Sequence, residues 1–116
     1  SIVSPAAQIG EGATIMAGAI VNPGAVVGRD VILNTGVVVE HDCSVGPHAH
    51  LASGVKLGGA AAVGEGAFLG LGATVLPGVK IGARAILGAG AVCVHDVPDY
   101  CVAVGVPARI IRTLTP

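Results

Sequence analysis

The chain has 116 residues, a formal net charge of −1 and a mean hydropathy of +0.83. No apolar run reaches the ~18 residues that a membrane-spanning helix needs, no secretory leader with a cleavage site is visible, and the charge provides no basic surface for nucleic acid. Aromatic residues make up 2% of the chain, so large rings cannot build its core. Three cysteines without metal-site spacing predict a reducing, cytoplasmic location.

A period of six residues starts at Val3 and runs to Cys93. Every member of this series is Ile, Leu or Val except the last, Cys93. A small apolar residue lies two positions earlier, as Ala13 does before Ile15, which is the spacing of two side chains on one side of a strand. Seventeen of the 19 glycines fall one or three positions after a member of the series, where a bend is required.

This period predicts an all-β fold, because six residues fit neither a helix nor a continuous strand. Three short strands and three bends would close a triangular coil of 18 residues, and stacked coils would bury the aliphatic positions as a column. We expect a parallel β-helix of about five coils over residues 1–95. Residues 96–116 contain the only Tyr and break the period, and we expect them to form a C-terminal capping tail.

The residue before each large aliphatic residue is predicted to point outward. Grouping the outward residues that are 18 positions apart gives three faces. Face one carries Ile2, Ile20, Val38, Lys56, Thr74 and Val92; face two carries Gln8, Val26, Ser44, Ala62 and Lys80; face three carries Thr14, Ile32, His50, Phe68 and Ile86. Large apolar side chains on faces one and three predict contact with other subunits. Because the two surfaces differ, a closed ring is favoured, and we expect a homotrimer.

The segment 37–54, VVVEHDCSVGPHAHLASG, concentrates polar side chains in a chain with 11% charged residues. His41 lies at a predicted corner next to Asp42, and a carboxylate neighbour fixes the tautomer of an imidazole and favours its use as a general base. Cys43 falls on an inward position, and His48 falls on a bend, so both are interpreted as structural. His50 points outward on face three, half a coil from His41, so the two would share a cleft only across a subunit contact.

Three segments together resemble the sialic acid O-acetyltransferase (NeuD) family, and within it the N-acetyltransferases of UDP-4-amino sugars. They are NTGVVVEHDCSVGPHAHLASGVKLGG, VGEGAFLGLGATVLPGVKIGARAILGAGAV and AVGVPAR, and the resemblance covers essentially the whole chain. It implies a left-handed coil and an acetyl-CoA-dependent transfer of acetyl to an amino or hydroxyl group of a sugar, with no metal. Members of the family usually carry an N-terminal nucleotide-sugar-binding domain, whereas this chain starts at Ser1, almost inside the first coil, so we expect that domain to be absent.

The resemblance also implies a role for individual residues. His41 would be the general base, with Asp42 supporting it, and Asn34 would lie near the acceptor sugar. The acetyl-CoA contacts would come from His50, Gly59, Leu71, Ala89 and Arg109, with Arg109 a candidate for a phosphate group.

Two other classes of function stay open at this point. A zinc enzyme like the γ-class carbonic anhydrases would need three converging histidines, but His41, His48 and His50 lie on different turns of one coil, and His95 lies three coils from His41, roughly 14 Å away at strand spacing. A purely structural trimer would bind neither zinc nor acetyl-CoA.

Overall fold

Two-residue strands recur every six residues in the structure, a computed structural model that describes residues 1–115. The strands are β1 (Ile2–Val3), β2 (Gln8–Ile9), β3 (Thr14–Ile15), β4 (Ile20–Val21), β5 (Val26–Val27), β6 (Ile32–Leu33), β7 (Val38–Val39), β8 (Ser44–Val45), β9 (His50–Leu51), β10 (Lys56–Leu57), β11 (Ala62–Val63), β12 (Phe68–Leu69), β13 (Thr74–Val75), β14 (Lys80–Ile81), β15 (Ile86–Leu87), β16 (Val92–Cys93), β17 (Cys101–Val104) and β18 (Arg109–Thr113). Residues 1–115 contain no helix that is long and apolar enough to cross a membrane.

Three parallel sheets form the sides of a solenoid, and each contains every third strand. Face one is the sheet β1-β4-β7-β10-β13-β16, face two is β2-β5-β8-β11-β14, and face three is β3-β6-β9-β12-β15-β17-β18. Paired residues along β1–β16 are 18 apart, as in Ile2 with Ile20 and Lys56 with Thr74. The predicted all-β parallel solenoid is therefore confirmed, while the left hand of its coil stays a prediction.

The core is a column of aliphatic side chains that runs along the solenoid axis. Its largest members are Leu33, Leu51, Leu57, Leu69 and Leu87, each at most 1% exposed. Small residues such as Ala49 and Ala85 fill the second inward position of each hexad, and no polar residue of the described chain is buried. The predicted inward position of Cys43 is confirmed, since Cys43 is also buried in this column.

Between residues 10 and 91, each bend is a four-residue turn whose second central residue has the left-handed backbone conformation. Glycine usually holds this position, as Gly54 does with φ 75°, because it has no Cβ to clash there. Six other residues adopt the same conformation, namely Asp30, Asp42, His48, Ala60, Arg84 and Tyr100. Residues other than glycine are uncommon in this region, and Asp and His are among those that tolerate it best.

The C-terminal segment extends the solenoid by a sixth coil before it turns back. The period shortens by two residues after Cys93, so that Val97 pairs with Ile81 and Val102 pairs with Ile86 at a spacing of 16. Strand β18 then pairs antiparallel with β17 and ends the sheet of face three. The predicted tail thus begins as solenoid and ends as an added strand; Pro116 lies outside the described residues.

Truncation of Ile81 tests the contribution of the core column. Ile81 is 2% exposed, whereas Lys80 in the same strand points outward on face two. We expect Ile81→Ala to lower the free energy of unfolding by about 2–5 kcal/mol and Lys80→Ala to change it by less than about 0.5 kcal/mol. Urea unfolding measures both values, and equal losses would contradict the inward and outward alternation.

The buried thiols make stability depend on alkaline pH. Burial raises the pKa of Cys43 and of Cys93 above the ordinary value of 9.0, so the unfolded chain ionises first. We expect the free energy of unfolding to be unaffected by these thiols below pH 9.0 and to fall as pH rises through the raised values. Urea unfolding of the wild type and of the Cys43→Ala, Cys93→Ala double variant from pH 7 to 10 measures this. A variant with the same alkaline slope as the wild type would contradict the assignment.

Candidate active site

The predicted site residues fall mainly on two corners that border face one. The first corner, between faces one and two, carries His41, Asp42 and Gly59. The third corner, between faces three and one, carries Asn34, Leu71 and Ala89. Strand β7 joins Asn34 to the His41 turn along one coil. Face one is therefore flanked by the predicted base on one side and by most of the predicted ligand contacts on the other.

His41 and Asp42 form a pair at the first corner. The His41 Nδ1 and the Asp42 Oδ2 are 3.2 Å apart, and the two side chains are 65% and 68% exposed. Asp42 reaches this position from the left-handed turn conformation, with φ 60°. Its other carboxylate oxygen occupies the space where Gly24 would carry a Cβ, so the previous coil needs glycine there. With its Nδ1 proton directed at Asp42, His41 presents Nε2 as the proton acceptor.

Gly59 lies directly under the His41 ring, one coil further along the chain. A Cβ on Gly59 would come within 2.5 Å of Nε2 and 2.7 Å of Cε1 of His41. The Gly59 backbone does not need a glycine, since its φ lies outside the left-handed region. Pro77 holds the same turn position in the next coil, and Pro23 holds it two coils earlier. The glycine therefore serves the imidazole, which packs against bare backbone.

A depression on face one borders the His41 corner. It is lined by Val38, Glu40, Lys56, Leu57, Gly58, Thr74, Val75, Leu76 and Pro77. Glu40 lies directly before His41, and the Asn22 amide holds it by donating to Glu40 Oε1 at 3.0 Å and to the Val39 carbonyl at 3.3 Å. The floor of the depression is apolar, while Glu40 and Lys56 place opposite charges at its border.

The third corner forms a column that continues to the C-terminal segment. The Gly72 N–H donates to the Ser53 carbonyl and the Gly90 N–H to the Leu71 carbonyl, so the turns stack one coil apart. Arg109 begins β18 and pairs with Val104 at the end of β17, and Val104 lies against Gly88 at the third corner. Asn34, Leu71, Ala89 and Arg109 thus follow one edge, at about 4.8 Å per coil.

His50 lies apart from these two corners. It points outward from β9 on face three, where its ring meets the Phe68 ring edge to face with centroids 5.2 Å apart. Its Nε2 is buried without a hydrogen-bond partner among the described residues. Within one chain His50 and His41 lie on different sides of the solenoid, which agrees with their half-coil spacing.

A second histidine–aspartate pair lies at the second corner, between faces two and three. His48 Nδ1 is 3.6 Å from Asp30 Oδ2, and both residues are in the left-handed turn conformation. This pair bridges two coils, whereas His41 and Asp42 are adjacent in sequence. Residues 1–115 contain no group of three or more His, Cys, Asp or Glu side chains placed to hold a metal ion.

Sequence reasoning placed Gly59 at the site without a physical reason for it. The available signal was its position, because Gly59 and Gly105 are the two glycines outside the periodic bend positions. Sequence reasoning missed the hydrogen bonds that Asn22 makes to Glu40 and that Ser53 makes to Asn34. Both pairs are 18 or 19 residues apart, so they become neighbours only when the coils stack.

Two models of repeat sequence match the chain. The bacterial transferase hexapeptide (six repeats) matches residues 6–41 and 24–59, and the hexapeptide repeat of succinyl-transferase matches residues 60–93. The chain belongs to the hexapeptide-repeat proteins. A search of curated proteins found no match.

Several solved structures of bacterial acetyltransferases resemble this hexapeptide-repeat chain. PerB from Caulobacter crescentus, in complex with CoA and GDP-perosamine, is 50% identical with a TM-score of 0.95 over 96% of this chain and 54% of its own. The acetyltransferase domain of PglB from Neisseria gonorrhoeae is 39% identical with a TM-score of 0.94 over 95% of this chain and 54% of its own, and it has also been solved in complex with acetyl coenzyme A. The chain spans about half the length of each of these proteins.

Replacing Gly59 by alanine tests the packing of the imidazole. We expect Gly59→Ala to displace the His41 ring from the Asp42 carboxylate, since the ring is the first group that the new methyl meets. The backbone accepts alanine, so the free energy of unfolding should change by less than about 1 kcal/mol.

The measurement is the NMR spectrum of the imidazole nitrogens. Gly59→Ala should shift the His41 signals, while Ala83→Gly, a change at the same turn position of the second corner, should leave them in place. Unchanged His41 signals in Gly59→Ala would contradict the packing described above.

Proposed function

We propose that this chain transfers the acetyl group of acetyl-CoA to the amino group of a sugar, specifically a nucleotide-linked amino sugar. The observation that carries the proposal is the His41–Asp42 pair held over the bare backbone of Gly59. The likeness to PerB in complex with CoA and GDP-perosamine and to PglB in complex with acetyl coenzyme A supports the substrate classes. The narrower assignment to the NeuD family stays a prediction.

In the proposed reaction the acceptor amine attacks the thioester carbonyl directly. A nitrogen–carbon bond forms as the amine proton passes to His41 Nε2, and the tetrahedral intermediate then expels the CoA sulfur as the carbon–sulfur bond breaks. The proton held by His41 leaves with CoA as its thiol. Asp42 keeps the Nδ1 proton in place and stabilises the imidazolium that forms in between.

A covalent acetyl-cysteine is not part of this scheme. Cys43 is the thiol nearest to the pair in sequence, but it is 1% exposed and its Sγ donates to the Gly58 carbonyl at 3.1 Å. Burial raises its pKa, so the nucleophilic thiolate is disfavoured.

The third corner supplies the proposed acetyl-CoA contacts. Leu71 and Ala89 expose their turn backbone along one edge, and Arg109 at the end of that edge carries a fixed positive charge for a phosphate group. From Asn34 to the sixth coil the edge is roughly 19 Å long, at about 4.8 Å per coil. An extended molecule such as CoA matches an edge of that length.

We also propose that three copies assemble as a ring with face one against face three of the next subunit. Phe68 is 39% exposed and Ile32 is 37% exposed on face three. The contact would bring the His50 ring toward face one of a neighbour, where the depression beside His41 lies. We also propose a cytoplasmic location, which the three free cysteines support.

The carboxylate of Asp42 is the sharpest target for testing the proposed chemistry. Asp42→Asn keeps the size and the left-handed turn but removes the charge that stabilises the imidazolium. We expect it to lower turnover, measured as free CoA thiol released, by roughly 10- to 1,000-fold. Asp30→Asn is the matched control, because Asp30 has the same turn conformation and also lies near a histidine.

The acceptors for this assay are GDP-perosamine and simple amino and hydroxyl sugars. Equal turnover in Asp42→Asn, Asp30→Asn and the wild type would contradict the role of the pair. Stoichiometric zinc by metal analysis, together with no binding of acetyl-CoA, would favour the carbonic-anhydrase-like alternative. A protein that binds neither zinc nor acetyl-CoA would favour the structural-trimer alternative.

The assembly is tested by light scattering. We expect a mass three times the 11.2 kDa of one chain. Phe68→Glu should lower that mass by placing a charge in the apolar contact, while Lys80→Glu on face two should leave it unchanged. A monomeric wild type would contradict the ring.

A further inference from the structure

The carboxylate of Glu40 is anchored at one oxygen and open at the other. The Asn22 Nδ2 donates to Glu40 Oε1 at 3.0 Å and to the Val39 carbonyl at 3.3 Å, so an amide from one coil holds the carboxylate of the next. Because the Val39 carbonyl only accepts, the Asn22 group that faces it must be the NH2. Glu40 is half-buried, but its Oε2 accepts no hydrogen bond within residues 1–115 and is not among the buried unpartnered atoms. This second oxygen is therefore open to solvent.

No cation of residues 1–115 neutralises this carboxylate. The two ion pairs within these residues involve other side chains. Lys56 lines the same depression on face one, but its Nζ donates to the Gly54 carbonyl at 3.4 Å, toward the third corner. A half-buried carboxylate without a cationic partner favours a ligand that donates hydrogen bonds to it.

Glu40 and His41 border the same stretch of backbone one coil further on. Glu40 lines the depression together with Gly58, and the His41 Nε2 lies over Gly59, where a Cβ would come within 2.5 Å of it. Gly58 also has to lack a side chain, because a Cβ there would come within 2.5 Å of the Pro77 nitrogen. The bare backbone leaves room beside both side chains, so one acceptor group can meet a carboxylate oxygen and an imidazole nitrogen.

An amine and a hydroxyl differ in what they offer to two such acceptors. A neutral amine has two N–H groups and one lone pair, so it can donate to the carboxylate and to the imidazole while the lone pair attacks the thioester carbon. A hydroxyl has a single proton. When it donates this proton to His41, an oxygen lone pair is left facing the Glu40 carboxylate, and that contact is unfavourable.

We propose that Glu40 is a specificity-determining residue that selects an amine over a hydroxyl as the acceptor, and that Asn22 is the positioning residue that holds it. This inference rests on the proposed function and adds the residue that decides between the two acceptor classes. One N–H proton of the amine passes to His41 as the nitrogen–carbon bond forms. The carbon–sulfur bond then breaks, and CoA leaves as its thiol with the proton from His41. The other N–H proton stays on the nitrogen, hydrogen-bonded to Glu40 Oε2, and is retained in the amide product.

Glu40→Gln is a sharp test, because the Asn22 amide determines how a glutamine is oriented there. The glutamine oxygen accepts from Asn22, so the glutamine NH2 faces the acceptor and donates where the carboxylate accepted. We expect kcat/KM for GDP-perosamine to fall roughly 10- to 150-fold, the value of one hydrogen bond to a charged group. For the analogue in which a hydroxyl replaces the amine, kcat/KM should not fall. The KM for acetyl-CoA and the unfolding temperature should stay unchanged, and Glu65→Gln at the exposed second corner is the matched control.

Asn22→Ala should have opposite effects in the two backgrounds. In the wild type it releases the carboxylate and should raise the KM for GDP-perosamine about fivefold, the value of one neutral hydrogen bond. In Glu40→Gln it allows the glutamine amide to rotate, so that its oxygen faces the amine and part of the lost activity returns. A double variant less active than Glu40→Gln alone would overturn the positioning role of Asn22.

Calorimetry without acetyl-CoA separates this inference from the proposed function. Glu40→Gln should bind GDP-perosamine roughly tenfold more weakly than the wild type does, and it should bind the hydroxyl analogue no more weakly. When this difference is found in a protein that never transfers acetyl, the proposed function is contradicted and the inference stands. Transfer that is equally fast in Glu40→Gln and in the wild type with either acceptor overturns the inference alone. A lower mass of Glu40→Gln by light scattering would assign Glu40 to a subunit contact and would also overturn it.

Discussion

The backbone hydrogen bonds between coils are the constraint on which the rest of this structure depends. Strand N–H groups donate to carbonyls 17 residues further along the chain, and turn N–H groups donate to carbonyls 19 residues back, so residues 18 apart become neighbours on the surface. His41 lies over Gly59 for this reason, and Asp42 lies beside Gly24. Because the core is filled by the inward positions alone, an exposed turn residue such as His41 can differ from coil to coil without loss of the core.

The solenoid provides edges rather than a closed cavity, and the candidate site follows from that geometry. The first corner presents an imidazole with its tautomer set by Asp42, and the third corner presents the Asn34 amide with its orientation set by its neighbours. Face one lies between them as a shallow, largely apolar surface with Glu40 and Lys56 at its border. In the proposed ring, a single chain would provide one half of a cleft and its neighbour the other half.

The fold could be predicted almost entirely from the sequence, because one period of six determines which residues point inward. The predicted inward residues from Ala19 to Cys93 are buried. The sequence could not predict how the tail continues, because the coil after Cys93 is two residues shorter than the others. Val97 nevertheless pairs with Ile81, and this pairing is visible only in the structure. The sequence predicts that His41 lies beside Asp42 because the two are adjacent. It does not predict the hydrogen bond to Asn34 from Ser53, which lies in another coil. Contacts across 18 or 19 residues follow from the register only after the coils are stacked.

His41 has the central role in the proposed reaction, in which it removes the proton of the acceptor amine as this amine attacks acetyl-CoA. The most direct measurement is the rate of CoA thiol release by the wild type and by His41→Gln at saturating acetyl-CoA, with acetyl-CoA affinity determined on the same samples. We expect His41→Gln to bind acetyl-CoA within about twofold of the wild type but to release CoA roughly 100- to 10,000-fold more slowly. A variant that binds acetyl-CoA and releases CoA at the wild-type rate would contradict it.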